Sequence, residues 1–103
     1  MPRSRLSTAA VVSAAVELVD ERGPGELTLA AVARRTGVAT GSLYKHVRSV
    51  EVLQQKVSAR VTAELANALS TAIAGRSGAD AVRSLASAYR DYALSFPGRY
   101  PLI

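Results

Sequence analysis

Residues 27–47 constrain the fold more than any other part of the chain, because they predict two short helices joined by a glycine turn. Thr28 can cap the first helix, since its hydroxyl can accept a backbone N–H that the first turn leaves without a partner. Gly37 follows where the chain must enter the left-handed region, which glycine adopts without strain. Leu43 and Val47 provide the inward anchors of the second helix. Together these signals are typical of a helix-turn-helix motif.

The surroundings of the second motif helix favour a polyanionic partner. We expect Thr40 to cap this helix, so that residues 40–42 form the turn that helix-turn-helix proteins direct at base edges. The chain has a formal net charge of +5, and it contains no Asp or Glu between residues 27 and 50. The basic residues of that span are Arg34, Arg35, Lys45 and Arg48. A solvated face that happens to be basic is the alternative interpretation.

The sequence Thr-Gly-Ser-Leu-Tyr-Lys-His-Val at residues 40–47 resembles the recognition helix of the tetracycline-repressor (TetR) family of bacterial transcription regulators. Residues 14–28 resemble the first helix of that family and the beginning of its second, and residues 49–53 resemble the start of its long fourth helix. The resemblance implies an all-α fold with a three-helix helix-turn-helix DNA-binding domain over residues 1–48. It implies that residues 49–103 hold the connecting fourth helix and the beginning of an incomplete helical regulatory domain for effector binding and dimerisation.

The function that the resemblance implies is sequence-specific DNA binding by a transcriptional regulator, a ligand-responsive repressor in its full-length form. The implied partners are double-stranded DNA with a near-palindromic operator, an unidentified small-molecule effector and, for the full-length protein, a second copy in a homodimer. We expect the 103-residue chain alone to be a monomer or to self-associate weakly. It is either a fragment of a longer regulator or a curtailed protein. A helix-turn-helix module that binds proteins without specific DNA binding is the alternative function.

The candidate DNA contacts lie on the motif, just after it, and on an arm before the first helix. Tyr44 can donate its hydroxyl to a phosphate or serve as a packing residue, and His46 can donate to a phosphate or lie on the helix surface. Arg3 and Arg5 can enter a minor groove or form a disordered basic tail. The full set is Arg3, Arg5, Thr28, Ala39, Thr40, Gly41, Ser42, Tyr44, Lys45, His46 and Arg48.

Two positions depart from the family pattern. Val50 stands where members commonly have a phosphate-binding Lys, and we expect Arg48 to compensate for it. Ala30 stands where some members carry a side chain that reads bases.

Three further helices and no strand are predicted. The first begins at a Ser7 cap and ends near Arg22, and the long fourth begins near Ser49. Ser77 and Asp80 predict a capping box for the fifth. The buried stripe expected on helix four is Leu53, Val57, Val61, Leu65, Leu69 and Ile73, and on helix five it is Val82, Leu85, Ala86, Tyr89, Ala93 and Phe96. Tyr89, Tyr92 and Phe96 are expected in the core, with a place in an effector pocket as the alternative.

Composition argues against an enzyme and against a metal or cofactor site. The chain has no Cys, and His46 is its only histidine, so neither a cysteine site nor a histidine cluster is available within one chain. Its acidic residues are spread over helix ends and outer faces, where they pair into no catalytic site. The apolar residues 9–19 are shorter than the ~20 residues of a membrane span. We therefore expect a cytoplasmic, nucleoid-associated protein without a membrane partner.

Overall fold

The predicted all-α fold is confirmed in the computed structural model, which describes residues 6–103. That range contains no strand. Its α-helices are α1 (Thr8–Arg22), α2 (Leu29–Thr36), α3 (Thr40–Leu43), α4 (Val50–Ile73) and α5 (Gly78–Ser95). Two 3₁₀ helices, Pro24–Glu26 and Pro97–Leu102, follow α1 and α5 respectively. None of the described helices combines the length and the apolar character needed to cross a membrane.

The helix α1 forms the centre of the core. Its N-cap is Ser7, as predicted, because the Ser7 hydroxyl accepts the backbone N–H of Ala10 at 3.1 Å. The helix packs against both α2 and α4, so side chains on most of its circumference are buried. Valine and alanine supply most of this surface, and their small size allows neighbouring helices to approach from two directions. The buried residues of α1 are Val11, Val12, Ala14, Ala15, Val16, Leu18 and Val19.

The glycine turn between α2 and α3 has the predicted geometry. Thr28 caps α2 by accepting the backbone N–H of Ala31 at 3.0 Å. Gly37 has φ 76° and ψ 26°, in the left-handed region, and ends the helix. The N–H of Val38 then donates to the Ala33 carbonyl at 3.0 Å, which satisfies a carbonyl of the last turn. The turn therefore rests on backbone bonds that follow from the position of a single glycine.

The helix α3 is shorter than predicted and has a different cap. Ala39 is the N-cap and makes no side-chain capping bond, so the prediction that Thr40 caps this helix is wrong. The reason is that Ala39 is the last extended residue, which places Thr40 inside the first turn. After Leu43 the chain continues as a turn, yet Val47 still donates its N–H to the Leu43 carbonyl at 2.9 Å. Both Leu43 and Val47 are buried, as expected of inward anchors.

Most residues of the stripe predicted on α4 are buried, as expected. Ser49 accepts the N–H of Val52 at 3.2 Å and so caps α4. Leu69 is only partly buried, and Ile73, at the far end, is exposed. The stripe residues that are fully in the core are Leu53, Val57, Val61 and Leu65.

The stripe predicted on α5 is largely wrong. Val82 is 66% exposed, and Leu85 and Tyr89 are exposed as well. The helix is rotated so that small side chains face α4, which allows a closer approach than a row of large residues would permit. The half-buried residues of this face are Ala81, Ser84 and Ala88, and the buried one is Tyr92. Of the three aromatic residues expected in the core, Tyr92 is buried and Phe96 packs against the core, but Tyr89 does not.

The predicted capping box of α5 is also not formed. Ser77 is the N-cap residue, but its side chain makes no capping bond. Asp80 instead accepts two hydrogen bonds from the Arg76 guanidinium, at 3.0 and 3.2 Å. The Arg76 guanidinium therefore binds the carboxylate that would have accepted the backbone N–H of Ser77 in a capping box.

Candidate nucleic-acid interface

A crevice lies between the amino-terminal ends of α2 and α4. Three of the predicted contact residues, Thr28, Tyr44 and Arg48, line it, although they come from separate parts of the sequence. Its volume is about 400 Å³, and its other lining residues are Leu27, Leu29, Ser49, Val50 and Gln54. The fold therefore brings a hydroxyl, a phenol and a guanidinium to one place on the surface.

The electrostatics of this crevice favour an anion. The first turns of α2 and α4 both meet it, and the amino-terminal end of a helix carries a partial positive charge. The capping hydroxyls of Thr28 and Ser49 each satisfy one N–H, which leaves other N–H groups of these turns for a ligand. Arg48 adds a full positive charge at the rim beside Val50. A phosphate group has the charge and the acceptor oxygens that this arrangement can bind.

The residues of α3 and the following turn form a continuous surface beside the crevice. Tyr44 is 55% exposed, which argues against the interpretation of its ring as a packing residue. A Cβ added to Gly41 would meet nothing within 4 Å, so packing inside the protein does not require glycine there. The exposed members of this surface are Ala39, Gly41, Tyr44, Lys45 and Arg48, and the half-buried members are Thr40, Ser42 and His46.

The basic segment of the sequence is less uniformly basic in the fold. Arg35 forms ion pairs with two carboxylates of α1, with Glu17 at 3.2 Å and with Glu21. The hydrogen bond from Arg35 lowers the pKa of Glu21, and the bonds to Glu21 and Glu17 raise the pKa of Arg35. Arg35 is therefore bound to α1 and is not available to DNA in this arrangement. The expectation of an acid-free surface fails at this residue because the crossing helix supplies acids from another part of the chain.

Three further residues bear on this interface. Arg3 and Arg5 lie outside the described residues, so their role in a minor groove stays a prediction. Gln54 lines the crevice from the second turn of α4 and was not among the predicted residues. Its position one helical turn after Val50 is the signal that could have identified it, because residues four apart share a helix face.

Comparison with known proteins finds a family model that matches the motif. Residues 11–57 match the family model described as bacterial regulatory proteins, tetR family. The matched segment begins in α1 and ends in α4, so it contains the crevice and the whole surface of α3.

Two curated relatives resemble nearly the whole chain. The chain is 40% identical over 97 residues to Rv0681 of Mycobacterium tuberculosis, an uncharacterised HTH-type transcriptional regulator. The matched segment covers 94% of this chain and 44% of the relative. The chain is 32% identical over 99 residues to YobS of Bacillus subtilis, also an uncharacterised HTH-type transcriptional regulator, with coverage of 96% and 52%. The chain thus spans about half the length of the curated relatives it matches.

Proposed function

We propose that this chain is a member of the tetR family of bacterial regulatory proteins and that it is a sequence-specific DNA-binding transcriptional regulator. The observation that carries the proposal is the crevice in which Thr28, Tyr44 and Arg48 meet two helix amino-terminal ends. A module that binds only proteins does not require such an anion site, whereas a DNA-binding protein needs contacts to phosphates. The curated relatives, both described as HTH-type transcriptional regulators, support the same conclusion.

We assign the contacts according to their position. Thr40, Gly41 and Ser42 enter the major groove, where donor and acceptor patterns distinguish the base pairs. The crevice residues Thr28, Tyr44 and Arg48 bind the phosphates that fix the register of the protein on the duplex. Ala39 precedes the groove-facing turn, Lys45 and His46 follow it and donate to further phosphates, and Arg3 and Arg5 enter the minor groove.

The longer-range features of the proposal concern the full-length protein. In it, residues 1–48 read DNA, and residues 49–103 connect this unit to a domain that binds a small-molecule effector and dimerises. Two copies then bind half-sites about 34–36 Å apart on a near-palindromic operator, and effector binding relieves repression. The protein performs no catalysis, and it acts on the nucleoid in the cytoplasm.

The experiment that tests the proposal begins with selection of bound duplexes from a random-sequence library, followed by titration of the best duplex over a range of salt. Arg48→Ala and Lys45→Ala should each weaken binding to selected and random DNA alike. Each should also reduce the slope of log affinity against log salt by about 0.9, because one phosphate contact is lost. The control is Arg76→Ala, which removes a cation at the far end of α4, a helix of 24 residues and so about 36 Å in length.

The outcomes separate the two candidate functions. Enrichment of one sequence, with a steep salt dependence that Arg76→Ala leaves intact, supports the regulator. Absence of any enriched sequence, together with binding that does not respond to salt, would leave the protein-interaction module as the function. A slope that Arg48→Ala leaves unchanged would remove Arg48 from the interface.

A further inference from the structure

A buried arginine near the end of the chain joins three helices. Arg99, in the 3₁₀ helix that follows α5, donates from Nε and Nη2 to the two carboxylate oxygens of Asp20, at 2.8 and 2.9 Å. Its Nη1 donates to Glu64 Oε1 and to the Tyr92 hydroxyl, each at 3.0 Å. The guanidinium carbon lies 3.8 Å from the centre of the Phe96 ring. These partners belong to α1, α4, α5 and the residue that follows α5.

The network around Arg99 is closed. The Tyr92 hydroxyl accepts from Arg99 and donates to the Val61 carbonyl of α4 at 3.3 Å. Within residues 6–103 no buried side-chain nitrogen or oxygen lacks a hydrogen-bond partner. The bidentate bond to Asp20 holds the pKa of Arg99 above its ordinary value. Because the planar fork of arginine makes these bonds together, lysine cannot reproduce them.

The helix α1 carries a second set of ion pairs. Glu17 and Glu21 bind Arg35 of α2, and Asp20, between them in sequence, binds Arg99. The helix α1 is thus attached by charge to the helix-turn-helix motif through α2 and to the 3₁₀ helix through Asp20. Motion of the 3₁₀ helix would therefore be transmitted through α1 to the motif.

The crevice that binds phosphate in our proposed function depends on this attachment. One wall comes from α2 and the turn after α3, through Thr28 and Tyr44, and the other comes from the start of α4. The helix α2 packs on α1, and α1 packs on α4, so the orientation of α1 relative to α4 contributes to the shape of the crevice. Arg99 bridges these two helices by bonding both Asp20 and Glu64, and Glu64 lies about 21 Å along α4 from its first residue. A rotation of α1 relative to α4 about this bridge would displace one wall of the crevice from the other.

We propose that Arg99 is a positioning residue for DNA binding, which sets the orientation of the helix-turn-helix motif relative to the start of α4. This inference rests on the proposed function. Arg99 itself contacts no DNA, because its side chain is buried among α1, α4 and α5. Its loss should weaken binding without removing a phosphate contact, and that combination distinguishes it from Arg48.

The test uses the full chain with Arg99→Lys and the duplex selected by the wild type, at a temperature where circular dichroism shows every variant folded. We expect Arg99→Lys to weaken binding at least about fivefold, the lower end of ordinary coupling between sites, with an unchanged salt slope. The matched control is Leu65→Ala, which removes a buried contact of α4, lowers the melting temperature and should leave the affinity unchanged. If Arg99→Lys does not fold, Asp20→Asn takes its place because it keeps the side-chain volume.

A second measurement requires no DNA. Since the chain contains no cysteine, Ala30→Cys and Ala66→Cys, both at exposed positions, would supply the only attachment points for a pair of spin labels on α2 and α4. The distribution of distances between the two labels should broaden or shift with Arg99→Lys and stay unchanged with Leu65→Ala.

The outcomes distinguish this inference from the function on which it rests. An affinity within twofold of the wild type, or equal losses in Arg99→Lys and Leu65→Ala, would overturn the positioning role. If the wild type binds no DNA, the proposed function fails, and the label distance alone decides whether Arg99 sets the angle.

Discussion

Gly98 lies in close contact with the backbone of a distant part of the chain, so the effect of replacing it with alanine can be calculated. A Cβ built on Gly98 would lie 2.6 Å from the carbonyl oxygen of Val19 and 3.6 Å from the Cα of Gly23. The Val19 carbonyl already accepts the N–H of Gly23 at 2.8 Å, which ends α1. Because both partners are backbone atoms at a helix end, neither can rotate away as a side chain would. Gly98→Ala must therefore push the 3₁₀ helix away from α1.

The size of the effect follows from that distance. Ordinary contact begins at 3.4 Å, so the 3₁₀ helix must move by about 0.8 Å, which also lengthens the neighbouring bonds of Arg99 to Asp20. Overpacking of this kind costs about 1–3 kcal/mol, and alanine recovers about 0.4–1 kcal/mol by restricting the unfolded chain. Because a backbone oxygen cannot rotate away, the overpacking cost falls in the upper half of that range. We therefore expect a net loss of about 1–2.5 kcal/mol, which lowers the melting temperature of a domain of this size by roughly 4–20 °C.

Thermal melts followed by far-ultraviolet circular dichroism measure this effect, with Gly41→Ala as the matched control. Gly41 lies in α3 with nothing within 4 Å of a new Cβ, so alanine there should stabilise the protein by up to ~1 kcal/mol. The same chemical change should thus have opposite signs at the two positions. A Gly98→Ala protein that melts at or above the wild-type temperature would show that the 3₁₀ helix does not rest on α1.

Three other changes test the motif and its attachment. Gly37→Val should lower the free energy of unfolding by more than ~1 kcal/mol, because a β-branched residue is forced to φ 76°; a denaturant titration equal to the wild type would refute it. Leu43→Ala should cost about 2–5 kcal/mol in the same titration, since it empties a fully buried site. Arg35 lowers the pKa of Glu21 below 4.5, so their pair stabilises the fold above that pH and is lost as the pH falls through the lowered pKa. Thermal melts of Glu21→Gln should show a smaller fall in melting temperature on acidification than the wild type. Identical dependence of the melting temperature on pH would exclude a stabilising contribution from the pair.

The features of the fold that the sequence predicted correctly depend on neighbouring residues. Ser7 and Thr28 each cap a helix by accepting an N–H three residues ahead, and Gly37 ends α2 through its own backbone conformation. The fourth helix begins beside Ser49, as predicted, and Ser49 makes the same capping bond. Such signals span less than one helical turn, so they operate whatever packs on the segment. The candidate contacts that line the crevice were chosen for a related reason, because the motif that carries them is itself local, and their role in DNA binding stays a prediction.

The predictions that failed concern choices made by tertiary packing. The helix α5 has apolar residues on two faces, and its small face, with Ala81 and Ala88, is turned towards α4. Periodicity alone favoured the face with the large side chains, since it registers apolar character and not the depth of a groove. Arg99 is separated from Asp20 by 79 residues, so no spacing rule connects them. Similarly, the acids that bind Arg35 come from a different helix.

The ion pairs of the fold change how the net charge of the chain should be understood. Five of the eight acidic residues form ion pairs, because Arg35 and Arg99 bind acids of other helices and Arg76 binds the acid four residues ahead of it. Those acids are Glu17, Asp20, Glu21, Glu64 and Asp80. Lys45 and Arg48 form no ion pair with any residue in the range 6–103, so their field is not neutralised at the crevice and along α3. A phosphate backbone that approaches the crevice therefore meets cations that the fold leaves unpaired.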